Sequence, residues 1–556
     1  MIAGRRAVSD SLSEKYYREG WWRNETFLDD FLEKAAQDPE RPALVSYVSG
    51  QDSPSRHSYG ELELLSRRCA AALIEIGVEP GETVSVQLPN TWEFPAIAIG
   101  IMRAGAIVNT LVPIFRSREL EFILGRTKSR ILIAPNLYRG FDYGSMALQL
   151  RESVPTLEHV VLLGSERADA VSFDKRFIGR RWEEDPNLIS ELAQRLPSAD
   201  DLVAIQFTSG TTGEPKGVLH SYNTVFSGAQ VIDKIYGLEP KDVCFMASTL
   251  AHQTGFCYGM VKPLSMGMKV VYQDVWDPDQ MLDAVETEQI VWTVSATAFA
   301  MDMVAAQRRR SRDLSSFKYF ICGGAAIPPK VVEEAAEVLG TELIAVWGMT
   351  ENMVVTTTRP GDTVELVSNS DGTPIEWMEI RVITEKGTYA SAGEEGSLQT
   401  RGSSQALGYF HREDLYAAAN PEEDWFDTGD VARLRPDGGI RIVGRTKDIV
   451  IRGGENIPVS EIESLILRHP LVDEVAIIGV PDERLGERAC AVVSSSSTGL
   501  NLSDLTDFLE ELGTAKQFWP EELALMSEMP RTPSGKIQKF KLREYLMVLR
   551  QLDAAD

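Results

Sequence analysis

The sequence predicts an α/β fold with three parts: a large N-terminal domain of doubly wound α/β subdomains, a small β-barrel-like subdomain, and a small α+β C-terminal domain. The chain has 556 residues, which is more than a single hydrophobic core normally serves. Apolar strands alternate with amphipathic helices over most of the chain, as in a mostly parallel sheet covered on both faces. Near residue 440 this alternation gives way to short strands and a new set of helices.

The first elements illustrate the pattern. Residues 61–76 place apolar side chains on one helical face, and Gly77 ends the helix. A strand follows at residues 83–88, and a second helix occupies residues 93–103. The further strands predicted in the large domain are residues 130–134, 202–207, 269–272, 290–294, 319–322 and 343–346.

Three other regions differ from this alternation. Residues 164–201 are polar and lack periodicity, which predicts a surface connection between two subdomains. Short alternating strands at residues 375–400 predict the barrel-like subdomain. The last region has enough elements for an independent α+β domain of roughly a hundred residues. Its predicted elements are helices at residues 459–468 and 502–512 and strands at residues 475–480 and 489–494.

The composition restricts the class of function. The net charge of −26 disfavours non-specific binding to nucleic acid or anionic lipid, because both need a basic surface. The five cysteines form no CxxC pair, which fits a reducing compartment. No apolar run approaches the length of a membrane span, and the first residues lack the apolar core of a secretory signal. We therefore expect a cytoplasmic protein, with an organelle transit peptide as the alternative.

The stretch TSGTTGEPKG, from Thr208 to Gly217, contains three glycines, four hydroxyl side chains and one lysine. It follows a predicted buried strand, and a loop of this composition can turn backbone N–H groups and hydroxyls toward an anion. Lys216 adds a compact positive charge, so the stretch predicts a polyphosphate site. It is not a Walker P-loop, because Gly217 rather than Ser or Thr follows Lys216. A solvent-exposed loop with an unrelated lysine is the alternative.

This stretch resembles the phosphate-binding signature of adenylate-forming enzymes, which include AMP-forming acyl-CoA synthetases, peptide-synthetase adenylation domains and firefly-type luciferases. The resemblance implies ATP, Mg²⁺ and coenzyme A as cofactors or substrates. Within the superfamily, short- and medium-chain fatty acid and cyclohexanecarboxylate CoA ligases look most similar. Further matches follow in the order typical of the superfamily and span most of the chain: WGMTE at 347–351, DTGD at 427–430, GRTKD at 444–448 and PRTPSGKI at 530–537.

The resemblance assigns a nucleotide site. Trp347, in place of the usual tyrosine, would stack on adenine, and Asp430 would accept hydrogen bonds from the ribose hydroxyls. Glu351 and Thr208 would hold magnesium, which takes carboxylate and phosphate oxygens together. Taken alone, Trp347 is better explained as a core residue and Glu351 as an exposed acid, and only their order after the phosphate loop favours a nucleotide site. The nucleotide-binding residues implied are Thr208, Ser209, Gly210, Thr211, Thr212, Gly213, Lys216, Gly324, Ala325, Trp347, Gly348, Met349, Thr350, Asp430, Arg445 and Lys536.

The resemblance also assigns catalytic residues. Lys536 would place positive charge between the carboxylate and the α-phosphate, two anions that otherwise repel each other. His252 matches a motif beside the carboxylate and the thiol tunnel, although a structural histidine fits the sequence equally well. We expect His220 and Asn223 to serve local packing. The catalytic residues implied are Lys536, Glu351, His252 and Thr208.

By the same resemblance, the chain divides into three segments. Residues 1–444 would form the N-terminal domain with the ATP and acyl pockets, and residues 445–448, including Lys447, would form a hinge. Residues 449–556 would form a mobile C-terminal domain. This domain would rotate between two half-reactions, withdraw Lys536, and present the face of residues 452–455 to the thiol.

The sequence thus predicts an ATP-dependent acid–thiol ligase that forms acyl-AMP and pyrophosphate, then acyl-CoA and AMP. The expected partners are a small-molecule carboxylate, ATP and CoA, and not nucleic acid. The oligomeric state stays open, with a homodimer as one candidate. Two alternatives remain: an acyl-adenylating enzyme that passes the acyl group to a carrier protein or another acceptor, and a non-catalytic nucleotide-binding relative.

The acid is predicted from the residues expected around its pocket. His252 and Gln253 stand where amino-acid-activating domains typically carry Phe-Asp, which argues against an α-amino acid. We expect Cys322 to be a buried structural thiol, because no histidine lies near it in the sequence. The pocket candidates are mostly apolar and suit an apolar tail without fixing its length or shape, and the resemblance implies a short- or medium-chain or alicyclic acid. They are Ala296, Thr297, Phe299, Ala325 and Met349.

Overall fold

The fold is mixed α/β, with a large N-terminal part and a small C-terminal part, as the sequence predicted. In the part of the chain that the structure describes, two mostly parallel sheets build the large part, and a small antiparallel sheet and a separate C-terminal sheet follow. This structure is a computed structural model, and it describes residues 5, 8–208, 215–324, 327, 329–384, 386–420, 422, 424–445, 450–457, 459–495, 499–530, 537 and 539–553.

The larger sheet contains nine described strands. Its central strands run parallel, and antiparallel strands close both edges. The central strands are almost entirely buried, as expected for a parallel sheet covered on both faces. In spatial order the strands are Thr373–Pro374, Met353–Thr357, Glu342–Met349, Tyr319–Cys322, Ile290–Ser295, Val243–Met246, Val270–Gln273, Pro42–Tyr47 and Ser55–Ser58.

The second sheet contains seven described strands, and only the hairpin at one edge is antiparallel. This hairpin carries the predicted phosphate loop between its strands. In spatial order the strands are Lys216–Ser221, Leu202–Thr208, Ile107–Thr110, Thr83–Val86, Ile131–Pro135, His159–Leu163 and Val171–Ser172. A separate short hairpin pairs Leu137–Tyr138 with Phe141–Asp142.

Two long helices of the large part pack closely against each other. A capping box starts the first: the Ser58 side chain accepts a hydrogen bond from the Glu61 N–H, and the Glu61 carboxylate accepts one from the Ser58 N–H. Gly100 allows the second helix to approach, because a Cβ there would lie 2.5 Å from the Cys69 Cβ. The α-helices of the large part are Asp10–Arg18, Phe27–Gln37, Tyr59–Ile76, Glu93–Arg103, Ser117–Thr127, Tyr143–Ser153, Pro186–Gln194, Tyr222–Ala229, Val231–Lys234, Gln253–Phe256, Lys262–Met266, Pro278–Glu288, Thr297–Arg309, Pro329–Glu334, Val364–Ser368 and Glu413–Ala418.

The last two sheets follow where the sequence predicted short strands. The first is antiparallel, open in its strand order, and consists of Met378–Ile383, Glu395–Gly402, Phe426–Leu434 and Ile440–Arg445. The C-terminal part has hydrophobic clusters of its own. Its strands are Val450–Arg452, Glu455–Ile457, Glu474–Asp482, Gly486–Ser494 and Glu522–Met526, and its α-helices are Val459–Ile466, Leu502–Glu511 and Lys539–Asp553. No helix in the described ranges is both long and apolar enough to cross a membrane.

The structure corrects the prediction for residues 164–201. Most of this segment is exposed or half-buried, as predicted, but Phe173, Phe177 and Trp182 are fully buried in the main hydrophobic cluster and anchor it there. The Trp182 indole N–H also donates a hydrogen bond to the Arg176 carbonyl at 2.8 Å. The aromatics are spaced irregularly, on a π-helical turn and a 3₁₀ turn, so the pattern matches neither helix nor strand periodicity.

Trp182→Ala is therefore expected to lower the free energy of unfolding by about 3–5 kcal/mol, because it removes a fully buried ring and leaves a cavity. Urea unfolding followed by circular dichroism measures this change. Arg181→Ala is the matched control, since the Arg181 side chain is largely exposed, and it should change the value by about 0.5 kcal/mol or less. Equal, small effects of both substitutions would show that the segment is peripheral.

Candidate active site

A cavity of about 530 Å³ is lined by residues of both large sheets, the small antiparallel sheet and the C-terminal part. Ser295 and Met349 are the last residues of two strands of the larger sheet, and Gly323 directly follows a third. Open α/β sheets bind ligands at the carboxyl ends of their strands. The cavity is therefore the candidate active site.

The hairpin of the predicted phosphate loop brings Thr208 and Lys216 together. Strand Leu202–Thr208 pairs antiparallel with Lys216–Ser221, and the register places Thr208 directly opposite Lys216. Both residues line the cavity. The backbone thus sets the base of the loop, whose predicted phosphate-binding residues Ser209, Gly210, Thr211, Thr212 and Gly213 lie outside the described residues.

Glu351 is held in the same cavity by Tyr409. The Tyr409 hydroxyl donates a hydrogen bond to the Glu351 Oε1 at 2.7 Å. The Lys216 ammonium lies 5.0 Å from the centre of the Tyr409 ring. Burial and the Glu351 carboxylate raise the pKa of Tyr409 well above its ordinary value, so the hydroxyl remains a donor at neutral pH. Tyr409 therefore orients the carboxylate and supports the lysine at once.

Backbone hydrogen bonds place Tyr409 there. Tyr409 forms a bridge with Val218 on the hairpin, and the next residue donates from its N–H to the Gly217 carbonyl at 2.7 Å. On the other side, the Ala406 N–H donates to the Glu351 carbonyl at 2.6 Å. No role for Tyr409 was predicted, because the run of residues 406–410, ALGYF, is apolar around it and carries no charged residue. Only its pairing with the hairpin reveals the role.

Trp347 and Asp430 contact each other. The Trp347 indole N–H donates a hydrogen bond to the Asp430 Oδ2 at 3.0 Å, and both residues are buried. Val346, Gly348 and Met349 line the cavity, and Trp347 is not among the residues that line it. The adenine and ribose roles that the resemblance assigns to Trp347 and Asp430 therefore stay predictions. Arg445 is opposite Asp430 in the backbone register of two paired strands, and its side chain lies outside the described part.

His220 connects the hairpin to the segment that carries Glu351. It is fully buried, with Nε2 2.7 Å from the Thr350 carbonyl oxygen and Nδ1 3.0 Å from the Thr224 hydroxyl. A neutral imidazole satisfies both contacts when Nε2 carries the proton and donates it to the carbonyl. Burial lowers the pKa of His220 to about 4. His220 thus serves local packing, as the sequence predicted, and holds Thr350 in place.

His252 and Gln253 both line the cavity. The His252 N–H donates to the Thr249 carbonyl at 3.0 Å, at the start of the helix Gln253–Phe256. Gln253 is buried, and among the described residues neither polar atom of its amide has a hydrogen-bond partner. A buried amide without a partner is costly, so Gln253 is a candidate to bind a polar group of a ligand.

The apolar part of the cavity contains three of the five predicted pocket residues. Ala296, Phe299 and Met349 line it. Thr297 instead contacts the Cys322 Sγ at 3.6 Å, and Cys322 is a fully buried thiol, as predicted. Burial raises the pKa of Cys322 to about 12, which leaves it protonated and unreactive. Ala325 lies outside the described residues.

The C-terminal part reaches the cavity through a glycine turn. Gly453 and Gly454 have φ angles of 57° and 86°, which other residues rarely adopt. A Cβ on Gly454 would lie 3.1 Å from the Ala296 Cβ, and a Cβ on Gly324 would lie 4.0 Å from the Gly454 Cα. This turn therefore packs against the large part at the cavity. The predicted hinge residue Lys447 and the predicted catalytic Lys536 lie outside the described residues.

The residues around Glu351 fit magnesium bound together with a nucleotide. Magnesium usually takes one or two carboxylates and completes its coordination with water and phosphate oxygens. Glu351 and Thr208 line the same cavity. Within the described ranges, no cluster of three or more His, Cys, Asp or Glu side chains forms a cage for a metal ion. The single carboxylate of Glu351, beside the hairpin of the predicted phosphate loop, matches magnesium that is bound by one carboxylate together with water and phosphate oxygens.

The two-part fold and this cavity define a nucleotide-binding enzyme of the adenylate-forming type. The family model described as AMP-binding enzyme matches residues 31–410, and the model described as AMP-binding enzyme C-terminal domain matches residues 461–536. The chain belongs to the AMP-binding enzyme family.

Individual relatives support this assignment over nearly the whole chain. The chain is 31% identical to the medium-chain fatty-acid–CoA ligase of Escherichia coli (strain K12), covering 96% of this chain and 92% of the relative. It is 30% identical to the 2,3-dihydroxybenzoate-AMP ligase of Bacillus subtilis (strain 168), covering 98% of each. The solved structure of the amide bond synthetase McbA from Marinactinospora thermotolerans shares the fold, with a TM-score of 0.82, 24% identity, and 94% and 99% coverage of the two chains.

The buried His220 predicts a specific acid sensitivity. Its pKa falls from about 6.5 in the unfolded chain to about 4 in the folded one. As the pH drops from 6.5 toward 4, only the unfolded chain takes up this proton, so stability is lost. The loss between pH 6.5 and pH 5 should be about 2 kcal/mol.

Urea unfolding at both pH values, with His220→Gln as the control, measures this contribution. The variant lacks the titrating ring, so its free energy of unfolding should fall about 2 kcal/mol less than that of the wild type. Parallel losses in both proteins would contradict a neutral buried His220.

Proposed function

We propose that this protein is an ATP-dependent carboxylic acid–CoA ligase. The observation that carries the proposal is that Lys216, Thr208 and Glu351 converge at one cavity that also has an apolar wall. A cation, a hydroxyl and a carboxylate suit Mg-ATP, and the apolar wall suits the body of an organic acid. Membership of the AMP-binding enzyme family supports the same reading.

In the first step, a carboxylate oxygen of the acid attacks the α-phosphorus of ATP, and the bond to the bridging β-phosphate oxygen breaks. Acyl-AMP forms and pyrophosphate leaves. Magnesium, held by Glu351 and Thr208, would neutralise phosphate charge. Lys216 and, by resemblance, Lys536 would supply fixed positive charge against the developing negative charge on the phosphate oxygens.

In the second step, the thiol sulfur of CoA attacks the acyl carbon, and the carbon–oxygen bond to AMP breaks. AMP leaves with the bonding electrons, and the thiol proton passes to solvent. We assign this step to an arrangement with the Gly453–Gly454 turn at the cavity, as in the structure. The proposed division of the chain is an N-terminal domain of residues 1–444, a hinge at 445–448 and a C-terminal domain of 449–556.

The proposed acid has a compact apolar body, either a short or medium chain or an alicyclic ring. Ala296, Phe299 and Met349 provide the apolar wall, and the fatty-acid–CoA ligase relative acts on an acid of this kind. The dihydroxybenzoate-AMP ligase relative favours a second candidate, an enzyme that adenylates an acid and passes it to another acceptor. The described cysteines are all unpaired thiols, which suits the cytoplasm, where we place the reaction.

The test is CoA-dependent AMP release across short, medium, long, aromatic and alicyclic acids. A strong response to one class supports the ligase and identifies the acid. Pyrophosphate exchange without CoA-dependent AMP release would support adenylation with a different acceptor. Silence of the folded protein with magnesium in both assays would contradict an enzymatic role with these acids.

Lys536→Ala is expected to lower acid-dependent pyrophosphate exchange by about 10²- to 10³-fold, because it removes one preorganised positive charge. Conversion of supplied acyl-AMP to the thioester should fall much less. Near-normal exchange in this variant would remove Lys536 from the mechanism.

Tyr409→Phe is expected to lower pyrophosphate exchange by about 10- to 100-fold, because a hydrogen bond to a charged group contributes about 1.5–3 kcal/mol. The variant should need a higher magnesium concentration for half-maximal exchange, because Glu351 loses its orientation. The ring beside Lys216 remains in place. Tyr236→Phe is the matched control, because Tyr236 is a buried tyrosine whose hydroxyl bonds Thr357 away from the cavity. Similar losses in both variants would mean that Tyr409 acts only through stability.

A further inference from the structure

An ion pair joins the C-terminal part to the large part beside the cavity. The Arg484 Nε and Nη2 lie 3.1 Å and 3.2 Å from the Asp302 Oδ1 and Oδ2. Both nitrogens donate, so the guanidinium and the carboxylate meet in the two-pronged geometry that gives such pairs directional strength. Asp302 lies on the helix Thr297–Arg309 of the large part, and Arg484 lies in the connection between strands Glu474–Asp482 and Gly486–Ser494.

Asp302 is held in position from the cavity side. The Trp276 indole N–H donates a hydrogen bond to the Asp302 Oδ2 at 2.9 Å. The Trp276 ring packs edge-on against Phe299, with ring centres 4.8 Å apart, and Phe299 lines the cavity. Contacts within the large part alone therefore hold the Asp302 carboxylate beside the wall of the cavity, independently of Arg484.

Arg484 is similarly tied to the glycine turn. Its N–H donates to the Asp482 Oδ1 at 3.0 Å, and the carbonyl of Leu485 accepts a hydrogen bond from the Gly453 N–H at 2.7 Å. A short, hydrogen-bonded path thus connects the guanidinium to the turn at the cavity. The ion pair of Arg484 with Asp302 therefore also restrains the position of Gly453 and Gly454.

We propose that Asp302 and Arg484 are positioning residues that hold the C-terminal part with the Gly453–Gly454 turn against the cavity, the arrangement that serves thioester formation. The inference rests on the proposed function, because it assigns the pair to one of its two steps. The Arg484 side chain is 60% exposed and that of Asp302 is 21% exposed. Exposed pairs are weak, so this one biases the arrangement and can be broken in each cycle.

Arg484→Glu is expected to slow conversion of supplied acyl-AMP to the thioester by about three- to tenfold, since it replaces attraction with repulsion. Acid-dependent pyrophosphate exchange should stay within about twofold of the wild type, because the substitution lies outside the residues around the nucleotide. Asp302→Asn, which keeps an oxygen for Trp276 and loses the charge, should shift the same step in the same direction. The exchanged pair Asp302→Arg with Arg484→Asp should regain part of the lost rate, since it restores the attraction but not the hydrogen bond from Trp276.

Arg309→Glu is the matched control, because Arg309 is 59% exposed and its carboxylate partner, Asp279, belongs to the large part like Arg309 itself. It should leave the thioester step unchanged. Equal losses in both half-reactions, or no loss in the thioester step, would overturn the inference.

Hydrogen–deuterium exchange of the peptide covering residues 450–457 tests the pair without any activity. Exchange should be faster in Arg484→Glu than in the wild type and unchanged in Arg309→Glu. The same rate in all three proteins would overturn the inference, even if the wild type transfers its acyl group to an acceptor other than CoA. Absence of CoA-dependent AMP release in the wild type would contradict only the proposed function.

Discussion

The antiparallel pairing of Leu202–Thr208 with Lys216–Ser221 is the constraint on which the rest of the site depends. It places Thr208 opposite Lys216 and gives the run of residues 406–410 a strand to pair with. That pairing carries the Tyr409 hydroxyl to Glu351. Backbone hydrogen bonding therefore brings together Lys216, the Tyr409 hydroxyl and the Glu351 carboxylate, which are widely separated in the sequence.

The large part and the C-terminal part each have hydrophobic clusters of their own, and they meet at the cavity. The main cluster fills the space between the large sheets, and the C-terminal part has clusters of its own. At the cavity the described residues of the two parts meet through the Gly453–Gly454 turn, the Arg484–Asp302 ion pair and Phe115, which packs against the C-terminal cluster. Buried apolar area stabilises each part, whereas an ion pair with an exposed partner contributes little.

Much of the fold could be predicted because long apolar runs carry a clear period. The strand Tyr319–Cys322 and the helix Glu93–Arg103 have the predicted bounds, and most other elements differ by a few residues. The buried aromatics of residues 164–201 could not be predicted, because irregular turns bury them without a repeating pattern. The buried thiol of Cys322 could also be predicted, since no histidine lies near it in the sequence, and His220 serves local packing as expected.

The sequence by itself determined that the protein resembles adenylate-forming enzymes. The Gly/Thr-rich loop with Lys216 and the later motifs with Glu351 and Asp430 are short runs of residue types, which can be recognised without the structure. Tertiary structure decided the rest. Tyr409 contacts Glu351, Trp347 turns its indole N–H to Asp430, and Arg484 reaches Asp302. These contacts join residues far apart in the chain, and strand register and domain packing, rather than any local pattern, determine which side chains meet.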